Sequence, residues 1–125
     1  MREEFVIEDY VIPKRVYFVV LQEGGAIPWE PIRVESLINP GQMAAAMFTE
    51  ELHAERAWHW WSMPRSCCIA MDEPFELIKL LESYRDKLGI HYVAIDPYIE
   101  SERNAPWYEI DRFVGVLNSS AEGDE

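Results

Sequence analysis

The side chains of greatest chemical potential in this sequence are polar residues that stand directly after short apolar runs. Thr49-Glu50 follows Met43 to Phe48, Asp72-Glu73 follows Cys67 to Met71, and Asp96-Pro97 follows His91 to Ile95. If these runs are parallel strands, their carboxyl ends gather on one rim, the usual ligand side of an open α/β fold. Thr49, Glu50, Asp72 and Asp96 then make a candidate ligand rim, in which Asp72 and Asp96 could converge as hard oxygen ligands for Mg²⁺ or as an acid and base pair. The simpler account of the same residues is structural. Thr49 and Asp72 occupy N-cap positions, where a side-chain oxygen satisfies free amides of the next helix, and Asp96 before Pro97 makes a turn.

Other chemistry is sparse. Cys67 and Cys68 are adjacent, so on a strand they point to opposite faces and are read as two reduced thiols packed as small apolar residues. A redox switch would need a cation to lower a thiol pKa, and Arg65 is the local candidate. His53, His59 and His91 lack a tight ligand pair, and Glu55 with His59 supplies only two potential ligands. Gly24-Gly25 lacks the Lys and Ser or Thr of a phosphate loop. No nucleophile elbow is present, and neither a catalytic set, a metal nor a cofactor is expected.

The elements that would position these residues follow from periodicity. Phe5 to Ile12 and Val16 to Leu21 are rich in β-branched and aromatic residues, with Pro13-Lys14-Arg15 as a hairpin connection. Glu23-Gly24-Gly25 breaks that pattern. Pro28 and Pro31 surround Trp29 and confine any strand at Ile32 to Val34 to a short edge, and Asn39-Pro40-Gly41 marks a turn. The three apolar runs then alternate with helical patterns. Ala54, Ala57, Trp58 and Trp61 form one stripe, and Leu77, Leu80, Leu81, Tyr84 and Leu88 another that ends at Gly89. Trp107, Ile110, Phe113, Val114 and Leu117 form a third, with Asn104 and Pro106 as start signals. The order predicts a mixed α/β domain over residues 1–117, of about five strands and three helices, with an N-terminal antiparallel hairpin, two βαβ-type crossovers and a C-terminal helix. Residues 118–125 read as an acidic flexible tail.

The first helix carries more apolar residues than one stripe needs. Leu52, Arg56, His59 and Met63 line the side opposite the core stripe, with Trp60 at its border. Trp, Arg and Met are enriched at protein contact surfaces, so this face is a candidate interface. The alternative is that the N-terminal segment or the Trp29 loop folds over it. Trp29 itself reads as part of a rigid lid whose indole plugs the core.

The chain has 125 residues and a net charge of -12, from 11 basic and 23 acidic side chains. Such a surface repels phosphate backbones and anionic bilayers, so neither nucleic acid nor a membrane is an expected partner. No apolar run reaches the ~18 residues of a membrane helix, and the N-terminus lacks a signal-peptide layout, which makes the cytoplasm the expected compartment.

Ala46-Met47-Phe48-Thr49-Glu50-Glu51 with Ala54 and Trp58, and the run Leu77 to Leu88 followed by Gly89-Ile90-His91-Tyr92-Val93-Ala94-Ile95-Asp96-Pro97, resemble small bacterial domains related to the SseB N-terminal domain. The likeness spans roughly residues 16–97. Glu50 stands where that group usually has Ser, and the helix is richer in tryptophan. The resemblance implies an α/β fold and carries over no catalytic residue. The expected function is therefore protein contact without catalysis, as a homodimer or on a partner protein. A ligand site at Asp72 and Asp96 and an acidic inhibitor of a basic partner are the alternatives.

Overall fold

The computed structural model describes residues 4–7, 10–23, 27, 29–36, 39–97 and 106–123. Gly24-Gly25, Pro28, Asn104 and the first three residues, to which the sequence assigned a break, a lid, a helix start and a leaderless terminus, lie outside that set.

The strands are built from the β-branched and aromatic runs. β1 (Glu4–Ile7) and β2 (Tyr10–Pro13) form an antiparallel hairpin with Phe5 opposite Ile12, and Phe5, Ile7 and Ile12 point inward. β3 (Val16–Leu21) pairs antiparallel with β7 (Ser66–Met71), and β4 (Glu30–Pro31) lies on its other side. β5 (Arg33–Glu35), β6 (Met43–Met47), β8 (Tyr92–Ile95) and β9 (Trp107–Glu109) make a second sheet in that order, with β6 and β8 parallel.

The two sheets are joined at one point. Tyr17 and Phe48 exchange both backbone hydrogen bonds, each 2.8 Å, in an antiparallel bridge between β3 and the end of β6. Beyond it residues 30–35 act as a wedge. The segment runs in along β3, bends at Ile32 and leaves along β6, with the Ile32 amide donating to Val19 O and the Ala46 amide donating to Ile32 O. Pro31 and the short β4 and β5 sit at sheet edges, where a residue without an amide proton costs no ladder bond. Through the bridge, strands β7, β3, β6, β8 and β9 stand side by side in a mixed arrangement of the kind the sequence predicts.

Three helices complete the domain: α1 (Glu51–Trp61), α2 (Pro74–Leu88) and α3 (Ile110–Gly123). α1 covers one sheet face, where Ala54 and Ala57 meet Val19, Ile32, Ala46 and Phe48. α2 and α3 cover the other, where Leu77, Leu81, Tyr84, Phe113 and Leu117 meet Phe18, Met47, Val93 and Ile95. Successive strand residues therefore alternate between two cores, which is why the runs read as continuously apolar.

Five expectations change in detail. Both crossovers, β6-α1-β7 and β7-α2-β8, are present, but β3 stands between β6 and β7, so only β6 and β8 bond to each other directly. The N-terminal hairpin turns inside the first apolar run, not at Pro13 to Arg15, because β3 is engaged by β7 instead. Trp107 belongs to β9 rather than to the last helix. Its pairing with Ala94 satisfies the open edge of β8 and its ring packs on Tyr92 at 5.8 Å, and these contacts outweigh the helical period. Neither Thr49 nor Asp72 caps a helix. Glu50 and Glu73 hold the N-cap positions without side-chain cap bonds, Thr49 being drawn to Asp96 and Asp72 to Arg15. α3 continues to Gly123, so its last turns include most of the residues read as a tail.

Gly89 ends α2 in the left-handed conformation at φ 70°, as its place after Leu88 predicts. Nothing lies within 4 Å of where a Cβ would project, so Gly89→Ala isolates the backbone cost. Chemical denaturation should show a loss of about 1–2 kcal/mol with an unchanged native fold.

Candidate functional site

Parallel pairing of Met47 with Ile95 brings the ends of β6 and β8 together, and the Asp96 amide continues the ladder to Met47 O at 2.8 Å. The Asp96 carboxylate therefore faces the first residues after β6. Thr49 donates to it twice, from its amide to Oδ1 at 2.9 Å and from its hydroxyl to Oδ2 at 2.6 Å. His53, one helical turn on, places Nδ1 at 3.3 Å from Oδ1, and its Nε2 lies 3.8 Å from Glu50. Asp96 holds this position with a left-handed backbone, φ 50°, which Asp tolerates better than most residues.

The rim thus assembles in part. Thr49 and Asp96 meet directly, and His53 stands between Asp96 and Glu50. Asp72 does not: it sits at the end of β7, three strand spacings or about 14 Å across the sheet, and pairs with Arg15 at 3.8 Å on the surface. The order β7, β3, β6, β8 separates the two carboxylates, so they share neither a metal nor a proton. Both oxygens of Asp96 are already engaged by protein donors, and among the described residues no cluster of three His, Cys, Asp or Glu is placed to hold a metal. The cluster's evident work is to tie the β8 end to the start of α1. His53 was legible only as a lone histidine, because its partner lies 43 residues away in sequence.

The proposed contact face is open. Leu52 is 52 % exposed, Trp60 67 % and Met63 42 %, and Arg56 and His59 lie exposed among them. Trp58, expected in the core, is also exposed, at 39 %, its indole N–H donating to Ser66 Oγ at 2.8 Å. The cause is the size of the inward residues: Ala54 and Ala57 seat α1 close on β3 and β6, and Trp61 alone among the helix's tryptophans packs partly on that core. Trp29 is no plug either. Its indole is exposed over a shallow cleft shared with Met71, Leu80, Lys79 and Lys87, while Tyr84 fills the core beneath and donates its hydroxyl to Trp29 O at 2.8 Å.

Both cysteines are free and half-buried. Burial pushes the Cys67 thiol up, and burial with the nearby Glu55, Cys67 and Glu51 pushes Cys68 up to about 11. Arg65 does not lower either, being paired with Glu23 at 2.7 Å.

Comparison with protein-family models finds no match, and comparison with curated protein sequences finds none.

Two measurements check this geometry. Asp96→Asn removes the charge that strengthens both Thr49 bonds and should lower stability by about 1.5–3 kcal/mol in urea melts. Iodoacetamide labelling of Cys68 should be slow at pH 8 and rise with pH towards 11. Since the folded thiol titrates above its ordinary value of about 8.5, its contribution to stability is complete below that pH and is lost as pH rises through the folded value.

Proposed function

We propose that this chain works by protein contact and that the outer face of α1 is the contact surface. The observation that supports the reading is the joint exposure of Leu52 and Trp60 on α1 and of Met63 just past its left-handed end at Ser62. Large apolar side chains scattered singly are ordinary on a protein surface, whereas a run of them with Arg56 and His59 has the make-up of an interface core. Burying the exposed parts of such residues supplies the apolar area that drives association, and Arg56 and His59 supply directional bonds at its rim.

The strong negative charge supports a different attraction, towards a basic partner. The two differ in their response to salt, because at about 0.5 M the screening length falls to roughly 4 Å and charge capture weakens while apolar burial persists.

The test places a photo-crosslinking amino acid at position 56 in cells expressing the chain. Discrete protein adducts should form, should form equally when an extract adjusted to about 0.5 M salt is irradiated, and should be absent in the double variant Leu52→Glu, Trp60→Glu, whose fold is checked by circular dichroism. Equal adducts in the native chain and the double variant would remove α1 from the contact, and adducts that no longer form when the extract is irradiated in salt would favour the basic partner.

A further inference from the structure

β7 is a six-residue strand at the edge of its sheet, and it carries no charge, no proline and no lysine. Natural sheets usually blunt such an edge, since its free peptide groups are a template for another strand. Among the described residues no strand lies against its outer side. Cys67, Ile69 and Met71 pack into the larger core, and on the other face Cys68 packs beneath α1 while Ala70 is exposed. The edge itself is open.

The phase of that edge is set by the Gln22 amide, which donates to Arg65 O at 2.8 Å. Arg65 and the odd-numbered residues after it direct their peptide groups at β3, so Ser66, Cys68 and Ala70 direct theirs outward. We infer that β7 pairs antiparallel with β7 of a second copy, with Ile69 opposite Ile69 of that copy.

The choice of occupant and register rests on complementarity. A two-fold axis through an antiparallel pair stands perpendicular to the sheet and leaves each side chain on its own face, so opposed residues must share parity. The strand can then centre on Cys68 or on Ile69. Centring on Ile69 sets the outward groups of Cys68 against those of Ala70 and adds a further bonded pair, Ser66 with Asp72. It also sets Arg65, which enters the strand from a turn with a left-handed backbone at φ 60°, against Glu73, whose backbone is extended at φ -113° and ψ 114°. Each end of the uncharged strand thus offers a cation where the reversed copy offers an acid. Centring on Cys68 loses the Arg65 and Glu73 match. Arg65 already holds Glu23, but its guanidinium has donors for a second carboxylate.

In a chain of net charge -12, most approaches of two copies bring acid against acid. The β7 edge avoids this. The joined sheet would carry both α1 helices on one side, so the dimer would display two contact faces together. The inference stands apart from the α1 reading and shares no residue with it.

Light scattering on the full chain over a concentration series tests it. The native protein should reach twice 14.6 kDa. Arg65→Glu should weaken the dimer at least tenfold, and adding Glu73→Arg should restore it. Ala70→Pro removes an outward amide without touching the β3 ladder and should also give a folded monomer by circular dichroism. Leu52→Glu with Trp60→Glu should leave the mass unchanged, which separates this edge from the α1 face. A native monomer at every concentration, a dimer indifferent to the Arg65 and Ala70 changes, or a double reversal that stays monomeric would overturn the inference.

Discussion

The architecture turns on the backbone bridge between Tyr17 and Phe48. Without it β3 and β7 belong to one small sheet and β6, β8 and β9 to another. With it, β3 is held between β6 and β7, and the crossover helices are committed to opposite faces. The wedge at Ile32 follows from the same bridge, because β3 and β6 splay apart beyond it and their inner peptide groups need partners. Residues 30–35 supply them to both strands in turn. A buried peptide group left unpaired would cost about as much as a lost hydrogen bond, and the bent segment removes that cost on both sides.

The two helical layers differ in the size of the side chains they bury, and this difference determines what the surface displays. α2 and α3 bring leucines, Tyr84 and Phe113 to a thick core. α1 brings two alanines to a thin one, so it lies close to the sheet and leaves Trp58, Trp60 and Met63 exposed. The apolar residues that a helix of this composition would ordinarily hide are thus available for contact. The same close seating brings the start of α1 down to the end of β8, where Asp96 can receive Thr49 and approach His53. The polar cluster and the exposed face are two consequences of one packing choice.

Much of the local structure was legible. The spacing of Leu77, Leu80, Leu81 and Tyr84, followed by Gly89, predicts α2 and its left-handed end, because both depend on contacts within one or two turns. The prolines around Trp29 predict a short edge strand, since a missing amide proton is a local fact. The candidate site was legible by half. Thr49, Glu50 and Asp96 were grouped because each stands at a strand end, and Asp72 was grouped with them on the assumption that parallel strands would be adjacent. Inserting β3 between β6 and β7 moves Asp72 away without altering anything in the sequence near it.

The sequence by itself determined the element types, the alternation of strand and helix, the acidic surface and the excess of apolar residues on the first helix. These are set by composition and by periods of two and 3.6 residues. Tertiary structure decided which strands touch, that Trp107 extends a sheet, that Trp58 lies outside the core, and that His53 stands beside Asp96. Each of those outcomes depends on satisfying peptide groups or filling space between segments tens of residues apart. No local pattern records which of several chemically adequate partners the chain will find.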